Sequence, residues 1–165
     1  IRSSCLYRSP IGEINLTEEH GFLIRADFVV KNSRSDVCLE NLEQPISKIL
    51  SKVCQDLDEY FLGNLKIFKI PLKPRGTFFQ QLAWKALLTI PYGETRSYLQ
   101  QAESIKNPKA VRAIGMANSR NPIPIIIPCH RVIAKNGAMR GYAGGIDRKT
   151  YLLEHEHNFM HVQKN

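Results

Sequence analysis

Cys129 and His130 stand side by side in Pro128-Cys129-His130-Arg131-Val132, behind the uncharged apolar run Ile123-Pro124-Ile125-Ile126-Ile127. A thiol is a strong nucleophile only as the thiolate, and a neighbouring base or positive charge makes that form accessible near neutral pH. An apolar lead-in ending in proline would hold the sulfur in one place. Taken alone, the pair admits three readings: an activated nucleophile, a packed thiol or a chance neighbour. Cys5, Cys38 and Cys54 show no Cys-x-x-Cys spacing. That argues against a disulfide framework and for a reducing compartment, in which Cys129 would stay reduced. His155, His157 and His161 cluster late in the chain, and His157 and His161 have a spacing that can chelate metal on a helix. No carboxylate or cysteine completes the set, so a solvent-exposed polar tail is expected there, and no metal.

The net charge of +8 is unevenly spread. Residues 1–76 carry 11 Lys/Arg against 10 Asp/Glu, and residues 77–165 carry 12 against 5, so the excess lies in the half that holds Cys129. A one-sided basic field fits a polyanionic partner such as nucleic acid, or a basic surface that only aids solubility. No stretch approaches the ~20 apolar residues of a membrane span. The N-terminal residues lack a secretion-signal pattern, so a cytoplasmic, bacterial-type, non-secreted protein is expected, with no membrane partner.

The elements that must position these groups divide at a connector, Pro71-Leu72-Lys73-Pro74-Arg75-Gly76. Residues 1–75 read as a small α+β domain and residues 76–165 as a second, mainly helical one. In the first, strands are expected over Ile11–Thr17 and Phe22–Val30, around the turn Glu18-Glu19-His20-Gly21. A helix from Pro45 has apolar residues at Ile46, Ile49, Leu50, Val53, Leu57, Tyr60 and Phe61 and ends at Gly63-Asn64; a strand follows at Ile67–Ile70. Cys54, inside that helix, reads as a packed thiol. In the second, Thr77-Phe78-Phe79-Gln80 and Ser97-Tyr98-Leu99-Gln100 are capping boxes, opening helices to about Leu88 and Ile105. Asn107 suits an N-cap and Pro108 a first helical position, ahead of a helix over Lys109–Ala117. Two short helices joined by a tight turn are either a helix-turn-helix or an ordinary helical hairpin, and the pattern alone leaves both open.

Several ordered segments together resemble the O6-alkylguanine-DNA alkyltransferases. They are Pro91-Tyr92-Gly93-Glu94-Thr95-Arg96-Ser97-Tyr98, Asn107-Pro108-Lys109-Ala110-Val111-Arg112-Ala113-Ile114-Gly115, Asn121-Pro122, the Cys129 pentapeptide and Tyr142-Ala143-Gly144-Gly145. The match runs from Gly76 to Glu156. The resemblance implies an α+β protein: a ribonuclease H-like domain with a small antiparallel sheet, then a mainly helical domain with a winged helix-turn-helix. It implies a DNA-repair methyltransferase that moves the alkyl group of O6-alkylguanine, and of O4-alkylthymine, irreversibly onto Cys129. No cofactor is implied, because the damaged base is itself the alkyl donor.

In that resemblance His130 acts as base through a bridging water, Glu156 orients the imidazole and Asn121 holds the active-site segment. Tyr98 helps rotate the nucleotide and donates a proton to the departing guanine, while Arg112 fills the gap left by the flipped base. Ala110, Ala113 and Gly115, with Thr95, Ser97 and Arg131, complete the DNA-binding set, bound through the minor groove by a monomer. Tyr142, Ala143, Gly144, Gly145 and Pro124 line the base pocket.

The chain departs from the family pattern in places. Ala143 replaces a serine found in some members, and Lys106 takes a turn position where glycine is frequent, which implies altered turn geometry or an extra phosphate contact. Some members bind zinc in the first domain through two cysteines and two histidines, whereas here His20 is the one histidine of residues 1–76. Three rival readings fit less well. Cysteine-less lesion-binding relatives are disfavoured by Cys129 itself. A winged-helix regulator would leave Cys129, His130 and Glu156 without a task. A Cys-His hydrolase would leave the basic field unexplained and lacks a recognisable oxyanion hole.

Overall fold

Arg2–Ser9, a segment with no alternation of its own, forms strand β1 in the computed structural model, which describes residues 2–30, 46–137, 142 and 144–161. It pairs antiparallel with β2 (Gly12–Glu19) from Arg2↔Glu19 to Ser9↔Gly12, and β2 pairs with β3 (Phe22–Phe28), giving the order β1-β2-β3. The expected two-stranded hairpin is thus a three-stranded sheet. β1 carries Ser3, Ser4 and Arg8 and buries only Tyr7 fully. Its conformation comes from the partner strand rather than from a periodicity that could be read in advance. The β2–β3 turn has positive φ at both His20 (54°) and Gly21 (82°), the geometry that matches strand twist in a two-residue hairpin.

The strand expected over Ile67–Ile70 is absent. Pairing there is reduced to one parallel bridge, Leu23↔Leu72, in which Leu23 N–H donates to Pro71 O (2.9 Å) and Lys73 N–H to Leu23 O (2.9 Å). Pro71 and Pro74 have no N–H to donate, so the ladder cannot extend.

Helix α1 (Lys48–Phe61) begins two residues later than its apolar pattern, because Ser47 is the cap: its hydroxyl accepts the N–H of Leu50. Leu50, Val53, Leu57 and Tyr60 form the buried stripe. The helix ends where expected. Gly63 adopts φ 85°, with Gly63 N–H donating to Tyr60 O and Asn64 N–H to Glu59 O, a Schellman closure. Cys54 is not enclosed in the core as a packed thiol should be. It is half-buried, with its sulfur 3.8 Å from that of Cys5 on β1.

By its internal contacts the chain falls into two compact units that change over between Pro74 and Arg75. The second is built from α2 (Phe78–Leu87), α3 (Tyr98–Ser104), α4 (Val111–Ser119) and α5 (Ile146–Phe159), with β4 (Arg96–Ser97) parallel to β5 (Val132–Ile133). Both capping boxes are formed as expected, at Thr77/Gln80 and at Ser97/Gln100. Helices α2, α3 and α4 pack through Ala83, Ala102, Ile114 and Ala117. A polar tie runs beneath this cluster: Gln101 and Asn118 exchange side-chain amide bonds (2.9 and 2.8 Å), Gln101 also donates to Ala83 O, and the Trp84 indole donates to Ala117 O. Every member is buried and partnered, which gives three short helices one mutual arrangement.

The turn between α3 and α4 differs from expectation. Asn107 does not cap α4 and Pro108 does not begin it. Lys106 takes φ 60° and closes α3, with Lys106 N–H on Glu103 O and Asn107 N–H on Ala102 O. Asn107 is therefore consumed by the end of α3, its carbonyl receives Ala110 N–H in a further turn, and α4 starts only after Ala110, with no side-chain cap. The α+β class is as expected. None of the helices among the described residues is long and apolar enough to cross a membrane.

Candidate active site

The segment from Asn121 to Cys129 is irregular backbone, so something other than a helix or sheet ladder must hold it. Ile123, Ile125, Ile126 and Ile127 are all buried and act as anchors. Ile125 sits at φ 74°, a conformation that a β-branched residue adopts only when its surroundings impose it. Pro128 (φ −83°, ψ 65°) is the centre of an inverse γ-turn in which Cys129 N–H donates to Ile127 O at 2.8 Å. Asn121 ties the loop from inside. Its amide N–H₂ donates to Ile127 O (2.7 Å) and to the Cys129 sulfur (3.2 Å), and its side-chain oxygen accepts Ile123 N–H (3.0 Å). Helix α4 ends immediately before Asn121, whose N–H reaches back to Asn118 O, so the last turn of α4 is continuous with the loop that presents the sulfur.

Cys129 to Arg131 form one 3-10 turn, which sends consecutive side chains in different directions. Cys129 is 5% exposed and His130 is 0% exposed. Glu156, on α5, is 1% exposed and collects donors from three residues on two segments. His130 Nε2 lies 2.7 Å from Oε2, Arg131 Nε and Nη2 donate at 2.8 and 3.1 Å, and Gly93 N–H donates at 3.3 Å. The alternative of a solvated Glu156 at a polar helix end is excluded. Gly93 has φ 80°, and a Cβ there would fall 2.9 Å from that of Met160, so glycine is what lets this turn close over α5.

The electrostatics follow from this arrangement. Burial alone would raise the Glu156 pKa, but the His130 and Arg131 bonds and charges outweigh it and hold the carboxyl well below its usual range. Burial pushes His130 down, so beside an ionised Glu156 the resting imidazole is neutral. Its Nε2 carries the proton donated to Glu156, which leaves Nδ1 as the basic nitrogen. Nδ1 is buried and has no hydrogen-bond partner among the described residues. Burial pushes the Cys129 thiol up to about 11, against the lowering effect of Asn121 and of Lys149. The resting group is the neutral thiol, and its proton must leave when it reacts.

Arg131 also departs from expectation. It was placed with the DNA-binding residues, but it is 6% exposed, and its guanidinium is committed to Glu156 and, at 2.8 Å, to the carbonyl of Ile90. A guanidinium so buried and engaged is turned inward, toward Glu156 and Ile90. Lys149 was not foreseen at all. It is buried on α5, donates to Val132 O at 2.6 Å and contributes positive charge at the Cys129 sulfur. One signal could have found it: Lys149, Leu152 and Glu156 fall at i, i+3 and i+7, the buried stripe of α5.

The remaining expected residues lie around this centre. Tyr142 is buried, and its hydroxyl is pushed well above the usual phenol value, by burial first and then by charge at Cys129. Pro124 is half-buried, Gly144 O accepts a bond from Arg148, and Gly145 caps α5 at φ 94°. Ala143 lies outside the described residues. Tyr98 opens α3 and packs on the α2–α4 cluster beside Gly115, while the Ser97 hydroxyl caps that helix. Arg112 and Ala113 are exposed on α4, Ala110 is at its start, and Thr95 is exposed ahead of β4. His155 is not part of an exposed tail: it is buried between the rings of Tyr151 and Phe159, whereas His157 and His161 are exposed.

Residues 4–74 match the model of the ribonuclease-like domain of 6-O-methylguanine DNA methyltransferase, and residues 78–158 match the model of its DNA binding domain. A methylated-DNA–protein-cysteine methyltransferase of Methanosarcina barkeri is 46% identical over 153 residues, covering 93% of this chain and 96% of that protein. A constitutive protein of the same name from Bacillus subtilis is 45% identical over 154 residues, covering 90% and 91%. Among solved structures, the O6-methylguanine methyltransferase of Mycobacterium tuberculosis superposes with a TM-score of 0.84 at 43% identity, covering 96% of this chain and 94% of that one. The complex of that organism's protein with DNA gives a TM-score of 0.81 at 45% identity, covering 93% and 92%.

Proposed function

The chain belongs to the 6-O-methylguanine DNA methyltransferase family, and from that premise we propose that it repairs alkylated DNA by a single irreversible transfer to Cys129. The observation that carries this reading is the buried chain of contacts from Asn121 through Cys129 and His130 to Glu156. The Cys129 sulfur attacks the alkyl carbon on guanine O6, the C–S bond forms and the C–O bond breaks. The thiol proton passes through a bridging water to His130 Nδ1, and the imidazolium that results is stabilised by ionised Glu156. Tyr98 protonates the departing guanine, because the neutral base is a far better leaving group than its anion. The thioether formed is not a disulfide, so reductants do not restore the thiol and each molecule acts once.

Duplex DNA is the partner, bound by a monomer through the minor groove, with α3 and α4 as a winged helix-turn-helix and α4 as the element laid against the DNA. A target base inside a stacked duplex must be flipped out, and Arg112, which is exposed, fills the gap. Tyr142, Pro124 and the Gly144-Gly145 backbone line the pocket, and the same chemistry extends to O4-alkylthymine. Titration with a duplex bearing one labelled O6-methylguanine tests the proposal: about one label should be retained per molecule on Cys129 and none in Cys129→Ala. Turnover well beyond stoichiometry would refute it.

A further inference from the structure

We infer that Cys5 and Cys54 are an oxidisable dithiol that closes to an intramolecular disulfide, a modification site chemically separate from the alkyl-accepting cysteine. The two sulfurs lie 3.8 Å apart, one on β1 and one on α1, and both residues are half-buried, within reach of a small oxidant. The approach is enforced by a second contact in the same register. Tyr7, two residues along β1 and on the same face, donates its hydroxyl to Asp58, one turn along α1, at 2.8 Å. Residues i and i+2 of the strand therefore meet residues i and i+4 of the helix. The strand cannot slide without breaking a bond at both points. From 3.8 Å the sulfurs need to approach by about 1.8 Å to reach the ~2.0 Å of a disulfide.

The pair is also chemically polarised. Either sulfur can donate to the other; the contact with Cys54 lowers the Cys5 pKa below its ordinary value, while the Cys5 contact and burial raise that of Cys54. Cys5 is then the attacking thiolate and Cys54 the resolving thiol. With a peroxide as oxidant, the Cys5 sulfur attacks one oxygen, the O–O bond breaks, and Cys5 becomes a sulfenic acid while water is released. The Cys54 sulfur then attacks the Cys5 sulfur, the S–O bond breaks, and the departing hydroxide takes the Cys54 proton as a second water. Two thiols and one peroxide give one disulfide and two waters. Cys129 offers the opposite conditions, being 5% exposed with its thiol pushed up to about 11, so oxidant is directed to the first unit and away from the repair nucleophile.

The full chain treated with a small excess of hydrogen peroxide, then alkylated with N-ethylmaleimide under denaturing conditions, should carry two fewer maleimide adducts than untreated protein. Peptide mapping should recover Cys5 linked to Cys54, and dithiothreitol should reverse the change. Oxidised protein should melt several degrees higher, because the link closes a long loop in the unfolded chain. Cys54→Ser should leave Cys5 as a sulfenic acid trapped by dimedone, and Cys5→Ser should abolish rapid oxidation. Recovery of both cysteines reduced while Cys129 or Cys38 carries the oxidation, or a link through Cys38, would overturn the inference. The mapping does not depend on DNA, so its outcome stays distinguishable from that of the alkyl-transfer reading. If both hold, the oxidised protein still takes about one methyl group per molecule.

Discussion

Glu156 is where the chemistry of single residues converges. Its carboxylate is buried, yet it is satisfied by His130, by two nitrogens of Arg131 and by the backbone of Gly93. Removing one partner of such a set leaves the others uncompensated, so Glu156→Gln should cost about 3–5 kcal/mol at pH 7. The sign of the pH dependence follows from its depressed pKa. The stabilisation is fully present above the ordinary carboxyl value of 4.5 and is lost as pH falls below it toward the folded value. Urea midpoints measured from pH 7 down to pH 3 should therefore fall more steeply below pH 4.5 in the wild type than in Glu156→Gln. Parallel curves would mean that the carboxylate is not held ionised. Arg131 belongs to this cluster, as a buried structural counter-ion to Glu156.

At the scale of the element, the two helix ends closed by Schellman turns make a controlled comparison. Helix α1 stops at Gly63 with φ 85°, and α3 stops at Lys106 with φ 60°. The hydrogen bonds are the same, so the turn geometry is not altered by lysine; only the conformational cost differs. A side chain with a Cβ in the left-handed region costs about 1 kcal/mol relative to glycine. Lys106→Gly should therefore raise unfolding stability by about that amount in thermal or urea melts, while labelling of Cys129 stays at one per molecule. Unchanged stability would show that Lys106 gains a compensating contact. Local chemistry was legible where it is self-contained: both capping boxes and the Gly63 stop are written in adjacent residues. The start of α4 was not, because Asn107 and Pro108 look like a helix entry until the closure of α3 claims the Asn107 N–H.

On the scale of the whole molecule, the second half carries the excess positive charge, and its exposed cations include Arg112. Arg112→Ala separates binding from chemistry. Labelling of Cys129 by a duplex should fall at least about tenfold, since the unstacked gap is no longer filled, while reaction with free O6-benzylguanine should stay within about twofold. Equal losses on both substrates would remove Arg112 from the flipping role. Duplex affinity of the wild type should also fall steeply with salt, as counterion release requires.

Adjacent residues alone made the α+β class and the capped helices of the second half legible, and they singled out Cys129 as the candidate nucleophile. These rest on adjacent residues and on ordered segments, which survive without a third dimension. Tertiary structure decided what each polar group is for. Arg131 lies 18 residues from Lys149 and 25 from Glu156 along the chain. They become one buried site only when α5 packs against the 3-10 turn at Cys129. The same holds for β1, whose strand character comes from β2, and for Cys5, which meets Cys54 across 49 residues. The physical reason is common to all three. Burial and pairing set the charge state and partner of a side chain, and neither is a property of the residues beside it in sequence.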